Sequence, residues 1–193
     1  MTLLWLPKQQ RCLPMAVKVI PHDPRWAHVF QCKQDIIVNA LGNIVTNIHH
    51  IGSTSITGLW AKPIIDIILE VTSLDALDQA NTTLETMNYE AMGEFGILRR
   101  RFFRKGPPGY RTHHIHAFVT GDAHVIRHIA FRDYLKAHPL VKQAYQDLKI
   151  NVAKLCNHSI EAYCQGKDAF IKAHETKALL WIKNFDQSHD QPQ

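Results

Sequence analysis

One carboxylate constrains this chain more than any other residue. Asp66 stands inside Ile64-Ile65-Asp66-Ile67-Ile68-Leu69-Glu70-Val71, a nearly continuous apolar run of the kind that forms a central strand covered on both faces. An ionised carboxylate left unpaired there is costly, so a cation, a metal or a hydrogen-bond donor is expected beside it. The plainer alternative is a structural carboxylate that caps a loop or pairs with Arg or Lys. Side chains alternate along a strand, which puts Asp66, Ile68 and Glu70 on one face and Ile67, Leu69 and Val71 on the other. Glu70 lies nearer the strand end, where solvent is an equal alternative to a site.

A second feature precedes this strand. Ile44 to Ile51 reads as a strand that stops at Gly52-Ser53-Thr54-Ser55. Glycine lets a backbone approach a ligand closely, and successive N–H groups with hydroxyls make an anion nest. Ser/Thr/Gly clusters are usually ordinary turns, so the signal lies in the combination. A hydroxyl cradle and a carboxylate on neighbouring strands can open into one cleft.

The rest of the chain supplies the frame. Trp26, Val29, Phe30, Lys33, Ile37, Ala40 and Leu41 recur at helical spacing, with Gly42 as the stop. Val17 to Ile20 suits an edge strand. Ser73 can cap a helix whose apolar face is Leu74, Leu77, Ala80, Leu84 and Met87. Leu98 to Lys105 and His113 to Thr120 read as strands joined around Gly106-Pro107-Pro108-Gly109. Helices are expected from Asp122 to Ala137, from Pro139 to about Cys156, and from Lys167 to Phe185, with a polar tail at 186–193. The pattern predicts an α/β (α+β) protein: a mixed sheet with flanking helices and a helical C-terminal third, forming one domain over 15–185. Residues 1–14 read as an N-terminal extension, with Met15 as an alternative initiator.

His114 and His116 share one face of their strand and can ligate a metal, move a proton or meet a phosphate. With Asp66 they form a two-His, one-carboxylate set. Lys62, just before the Asp66 strand, can reach a phosphate. Arg132 is a candidate phosphate clamp, against an alternative Arg–Asp pair that holds its helix. Arg99, Arg100 and Arg101 alternate faces, so they cannot all meet one ligand. Lys149 and Lys167 are weaker candidates, and Tyr145 and Tyr163 read as packing residues.

Composition narrows the class. The formal charge is +5 at pH 7, and the pI near 9.1 favours an anionic partner without naming it. Cys12, Cys32, Cys156 and Cys164 form no CxxC pair and read as reduced thiols of a cytoplasmic protein. No apolar run approaches the ~20 residues that span a bilayer. No helix joins basic residues to a recognised nucleic-acid motif, so nucleic acid ranks below a small molecule as partner.

The motifs together resemble the GrpB family. The resemblance rests on His50-Ile51-Gly52-Ser53-Thr54-Ser55, Gly58-Leu59, Lys62-Pro63 and Ile64-Ile65-Asp66-Ile67. It continues through Arg101-Phe102-Phe103, His114-Ile115-His116, Phe131-Arg132-Asp133-Tyr134-Leu135, His138-Pro139, Tyr145, Leu148-Lys149, Tyr163 and Lys167, covering about 17–183. The family is regarded as a branch of the nucleotidyltransferase superfamily, with similar domains fused to dephospho-CoA kinase.

The resemblance implies a nucleotidyltransferase-like sheet. Carried over, Gly52 and Ser53 hold the phosphates of a nucleotide or similar small molecule and Asp66 ligates a metal; read from the residues themselves, Thr54, Ser55, Lys62 and Arg132 are further phosphate contacts. Asp66, His114 and His116 are then the catalytic residues, and Asp66, Glu70, His114 and His116 the ligands of a divalent metal (Mg, Mn or a softer ion). The expected activity is metal-dependent nucleotidyl or phosphoryl transfer to an acceptor. One departure favours a non-catalytic nucleotide-binding or phosphate-binding module instead: the second carboxylate of the Asp-x-Asp/Glu pattern is Ile68, which cannot ligate anything.

Overall fold

The computed structural model describes residues 17–189, with side chains through 184. The proposed extension, its alternative initiator and Cys12 lie outside the described residues. The central run forms strand β2 (Ile65–Val71), the second strand of a five-stranded sheet. The other strands are β1 (Val45–Ile51), β3 (Tyr89–Ala91), β4 (Arg101–Lys105) and β5 (His113–Val119). The sheet order is β1-β2-β5-β4-β3, with β2 and β5 parallel and every other pair antiparallel. The fold is therefore the expected mixed α/β arrangement.

Alternation sorts the core as the sequence demands. Ile65, Ile67, Leu69 and Val71 join Ile115, Ala117 and Phe103 beneath α1 (Arg25–Leu41), α2 (Leu74–Gln79) and α3 (Asn81–Thr86). On the opposite face Ile68 packs with Ile51, Phe118 and Val125 under α4 (Ala123–Ala137). α5 (Pro139–Leu155) and α6 (Ile160–His189) complete that side, with α4 and α6 meeting through Ala130, Tyr134 and Ala178. Asp66, His114 and His116 therefore face the C-terminal helices.

Several boundaries differ from expectation for local reasons. Val17 to Ile20 contributes a single bridge, Ile20 to Ala61, rather than a strand. The helix capped by the Ser73 hydroxyl, which accepts from the Asp75 and Ala76 N–H groups, divides at Ala80 into α2 and α3. Strand β4 begins only at Arg101, because Arg99 takes a positive φ of 62° and Arg100 closes a turn onto Ile97. The three-residue β3 carried no alternation long enough to read.

Helix α6 starts at Ile160, seven residues before the expected Lys167, and continues into the predicted polar tail as far as His189. Gly166 lies inside this helix and permits close packing. A Cβ added to it would lie 2.6 Å from Val152 Cγ1 of α5. Among the described residues no helix is long and apolar enough to cross a membrane.

Candidate functional site

Asp66 sits at the edge of β2, registered against Ile51 of β1 and His114 of β5. Its side chain keeps 29 % of its exposure and lines a cavity of about 430 Å³ between the sheet and α4–α6. The cavity also reaches Ser53, Lys62, His116, Lys149 and Lys167.

The turn after β1 explains why the carboxylate is reachable. Gly52 adopts φ 69°, ψ −173°, and a Cβ added there would fall 2.6 Å from Asp66 Oδ2. Any side chain at 52 would occupy the carboxylate's position and would also be strained in this backbone region.

Asp66 Oδ1 accepts a hydrogen bond from His114 Nδ1 at 3.0 Å. Burial works against ionisation of Asp66, but the His114 hydrogen bond, with the nearby Lys62 charge, outweighs it and holds the pKa below the usual value. The ionised carboxylate can only accept, so His114 donates from Nδ1, and Nε2 is the ring nitrogen that Asp66 leaves unengaged.

His116 lies behind His114, with its Nδ1 3.3 Å from an Arg100 guanidinium nitrogen. Because guanidinium only donates, that Nδ1 is the acceptor. Burial pushes the His116 pKa to about 3 and that of its neighbour His128 to about 4, so both rings are neutral at ordinary pH.

The expected metal ligands do not assemble. Glu70 is 6 % exposed at the far end of β2, where it meets His49 Nε2 at 2.8 Å and accepts the Gly121 N–H at 3.2 Å. His114 Nδ1 is engaged by Asp66, and His116 Nδ1 faces a guanidinium that would repel a cation. Among the described residues no three His, Cys, Asp or Glu side chains could hold a metal ion. The set Asp66, Glu70, His114 and His116 thus does not fit a dedicated metal centre: a hard cation takes six or more oxygens, and only Asp66 offers any here.

The expected phosphate cradle is also reduced. Thr54 is buried, and its Oγ1 donates to the Ile64 carbonyl at 3.1 Å and meets His50 Nε2 at 3.0 Å. Ser55 Oγ donates to the Gly52 carbonyl at 2.6 Å. Arg132 realises its alternative role: it forms a forked pair with Asp133 and donates to the His50 carbonyl at 3.0 Å, tying α4 to the end of β1. Ser53 and Lys62 remain directed to the cavity.

The helices supply the cations that sequence reasoning ranked low or missed. Lys62 and Lys167 lie over the same Tyr163 ring, at 5.3 and 4.1 Å from its centroid. Lys149 donates to Ser53 Oγ at 2.9 Å and to the Trp60 carbonyl, and stands 4.7 Å over the Tyr145 ring. Arg127, also on the wall, is paired with Glu175 at 2.6 Å. Lys149 was detectable in sequence as a charge on the apolar stripe Tyr145, Leu148, Val152 and Cys156, the helical counterpart of Asp66 in its strand.

Comparison with known proteins agrees with this architecture. The crystal structure of conserved protein GrpB from Enterococcus faecalis superposes with a TM-score of 0.81 at 38% sequence identity, over 86% of this chain and 99% of that one. UPF0157 protein YqkA of Bacillus subtilis is 41% identical over 167 residues, 86% of this chain. The chain spans about half of that relative's length, 48%. Glutamate-rich protein GrpB of Alkalihalophilus pseudofirmus is 31% identical over 159 residues, covering 80% of this chain and 91% of the relative. The family model described as GrpB protein matches residues 16–177, a stretch that takes in every strand, the Asp66 cleft and most of the helices walling it, and the chain belongs to the GrpB family.

Proposed function

We propose that the cleft binds a phosphate-bearing small molecule of the nucleotide class, and that the chain serves as a binding module for it. The supporting observation is the pair Lys62 and Lys167. Both ammonium groups border the cavity and share the Tyr163 ring, and among the described residues neither has a carboxylate at ion-pair distance. Burial lowers the Lys167 pKa, and Lys62 adds repulsion. A phosphate between them would relieve that repulsion and accept charge-assisted hydrogen bonds. Ile68, fully buried at the position of a second carboxylate, favours binding over two-metal transfer.

The test is ligand-induced stabilisation. ATP, ADP and inorganic phosphate are titrated against the thermal midpoint in the presence of a chelator. A ligand at a hundredfold over its Kd adds about 2.7 kcal/mol. The Lys62→Met, Lys167→Met double variant is expected to lose the shift. A flat response to every phosphate compound, or an undiminished shift in the double variant, overturns the reading.

The Asp66–His114 pair favours a second reading, transfer of a nucleotidyl or phosphoryl group to a hydroxyl acceptor. Asp66 fixes the His114 tautomer, leaving Nε2 free to take the acceptor's proton. Radiolabelled-nucleotide transfer that persists at full rate in Asp66→Asn would remove it.

A further inference from the structure

Lys149 is 1 % exposed, deeper than any other buried polar or charged side chain among the described residues. No carboxylate there lies at ion-pair distance from it; its Nζ instead meets Ser53 Oγ at 2.9 Å and the Trp60 carbonyl. Burial, with repulsion from Lys167, pushes its pKa to about 7, so a large fraction of the amine is uncharged at neutral pH and above. A neutral amine has a single lone pair. As an ammonium, Nζ donates to both Ser53 Oγ and the Trp60 carbonyl; in the neutral form an N–H stays on Trp60 and the lone pair is available to the Ser53 hydroxyl proton.

Ser53 is placed to use it. It follows Gly52, whose positive φ turns the chain sharply out of β1, and its side chain borders the cavity. Thr54 and Ser55, its neighbours, have their hydroxyls engaged by the scaffold. A hydroxyl in an open cleft, hydrogen-bonded to a desolvated amine and to the Tyr145 side chain, is the arrangement that activates serine in Ser–Lys enzymes.

We infer that Ser53 is a nucleophile with Lys149 as its base, and that this cleft transfers acyl groups from activated carboxylic esters. Ser53 Oγ attacks the ester carbonyl while its proton passes to Lys149 Nζ. The C–O bond to the alcohol breaks, and the departing alkoxide takes that proton back, leaving an ester on Ser53. Water, deprotonated by the same amine, attacks this ester; the carboxylic acid leaves, and Ser53 recovers its hydroxyl proton. No oxidant, metal or cofactor enters the balance.

The inference stands apart from the phosphate reading and is tested on the full chain with a fluorophosphonate probe and p-nitrophenyl acetate. Intact mass and peptide mapping are expected to find one adduct, on Ser53, absent in Ser53→Ala. In Lys149→Met, labelling is expected to slow by about a hundredfold, the usual worth of a general base. The wild-type labelling rate should rise roughly tenfold per pH unit below pH 7 and level off above it.

No adduct, an adduct elsewhere, or undiminished labelling in folded Lys149→Met overturns the inference. If Lys149→Met does not fold, the wild-type pH profile decides: a rise continuing through pH 9 is hydroxide chemistry and equally overturns it. Nucleotide-induced stabilisation is read on the same wild-type sample. Ser53 labelling without a nucleotide shift sinks the binding reading alone, and a shift without labelling sinks this one alone.

Discussion

The two ends of β2 carry two carboxylates on one face, and the molecule treats them oppositely. Glu70 is enclosed, with one oxygen against His49 and the other against the Gly121 N–H in the turn that leads into α4. Asp66 keeps 29 % of its side-chain exposure and has His114 as its one hydrogen-bonded protein partner. Strand position and chemistry are nearly equal, so the difference comes from what covers each end. A turn closes over Glu70, whereas a glycine without a side chain stands beside Asp66. A carboxylate's availability for function is thus set by the covering loop.

The largest expected effect tests how the cleft end is held in its neutral state. His116 and His128 are half-buried, with pKa values near 3 and 4, while the unfolded chain titrates near 6.5. Between these limits the unfolded state binds more protons, so stability is full above pH 6.5 and is lost as pH falls below it. At pH 4.5 the two rings together remove about 5 kcal/mol, comparable to the whole stability of many domains. Urea unfolding at pH 7, 5.5 and 4.5 is expected to show a steadily falling midpoint, with a shallower fall in His128→Gln. A midpoint unchanged from pH 7 to 5 would mean that these rings already reach water.

Next in size is the closed end. Glu70→Ala removes the buried partner of the His49 ring and the Gly121 N–H and leaves a void, at a cost of about 3 kcal/mol. For a chain of this length that lowers the melting temperature by roughly 6 to 12 °C. The response to nucleotide should be unchanged, because Glu70 does not border the cleft. A stable variant with altered ligand response would erase the distinction between the two ends.

The same contrast explains what the sequence could disclose. Asp66 was legible because a charge inside an apolar strand violates the local pattern, and the alternation put His114 and His116 on the matching face. The fate of Glu70 was not legible. Its partners lie 21 and 51 residues away, and periodicity carries no information about which turn folds back over a strand end. Where the helical cations of the cleft point was hidden for a related reason. Lys149 and Lys167 lie on helices that read as packing elements, and only the docking of α5 and α6 on the sheet brings them to the cleft beside Ser53. Gly166, of a residue type that commonly ends helices, lies inside α6 and lets α5 and α6 approach.

The smallest effect expected in stability is the most informative about chemistry. In Asp66→Asn the amide oxygen can still accept the His114 Nδ1–H, and the position is partly exposed, so unfolding free energy should change by less than about 1 kcal/mol. Ligand affinity should move further, with a sign that discriminates. If an anionic phosphate meets the Lys62–Lys167 pair without a metal, the Asp66 charge opposes it across the same cavity. Removing that charge should tighten ADP binding in a chelating buffer by roughly two- to tenfold, the size of a screened interaction across a half-open cleft. Isothermal titration at two salt concentrations measures this, and the gain should shrink at the higher one. Weakening by more than about tenfold would instead assign Asp66 to a favourable contact with the ligand or with a cation that accompanies it, because Coulomb repulsion from a carboxylate cannot produce a loss of that sign.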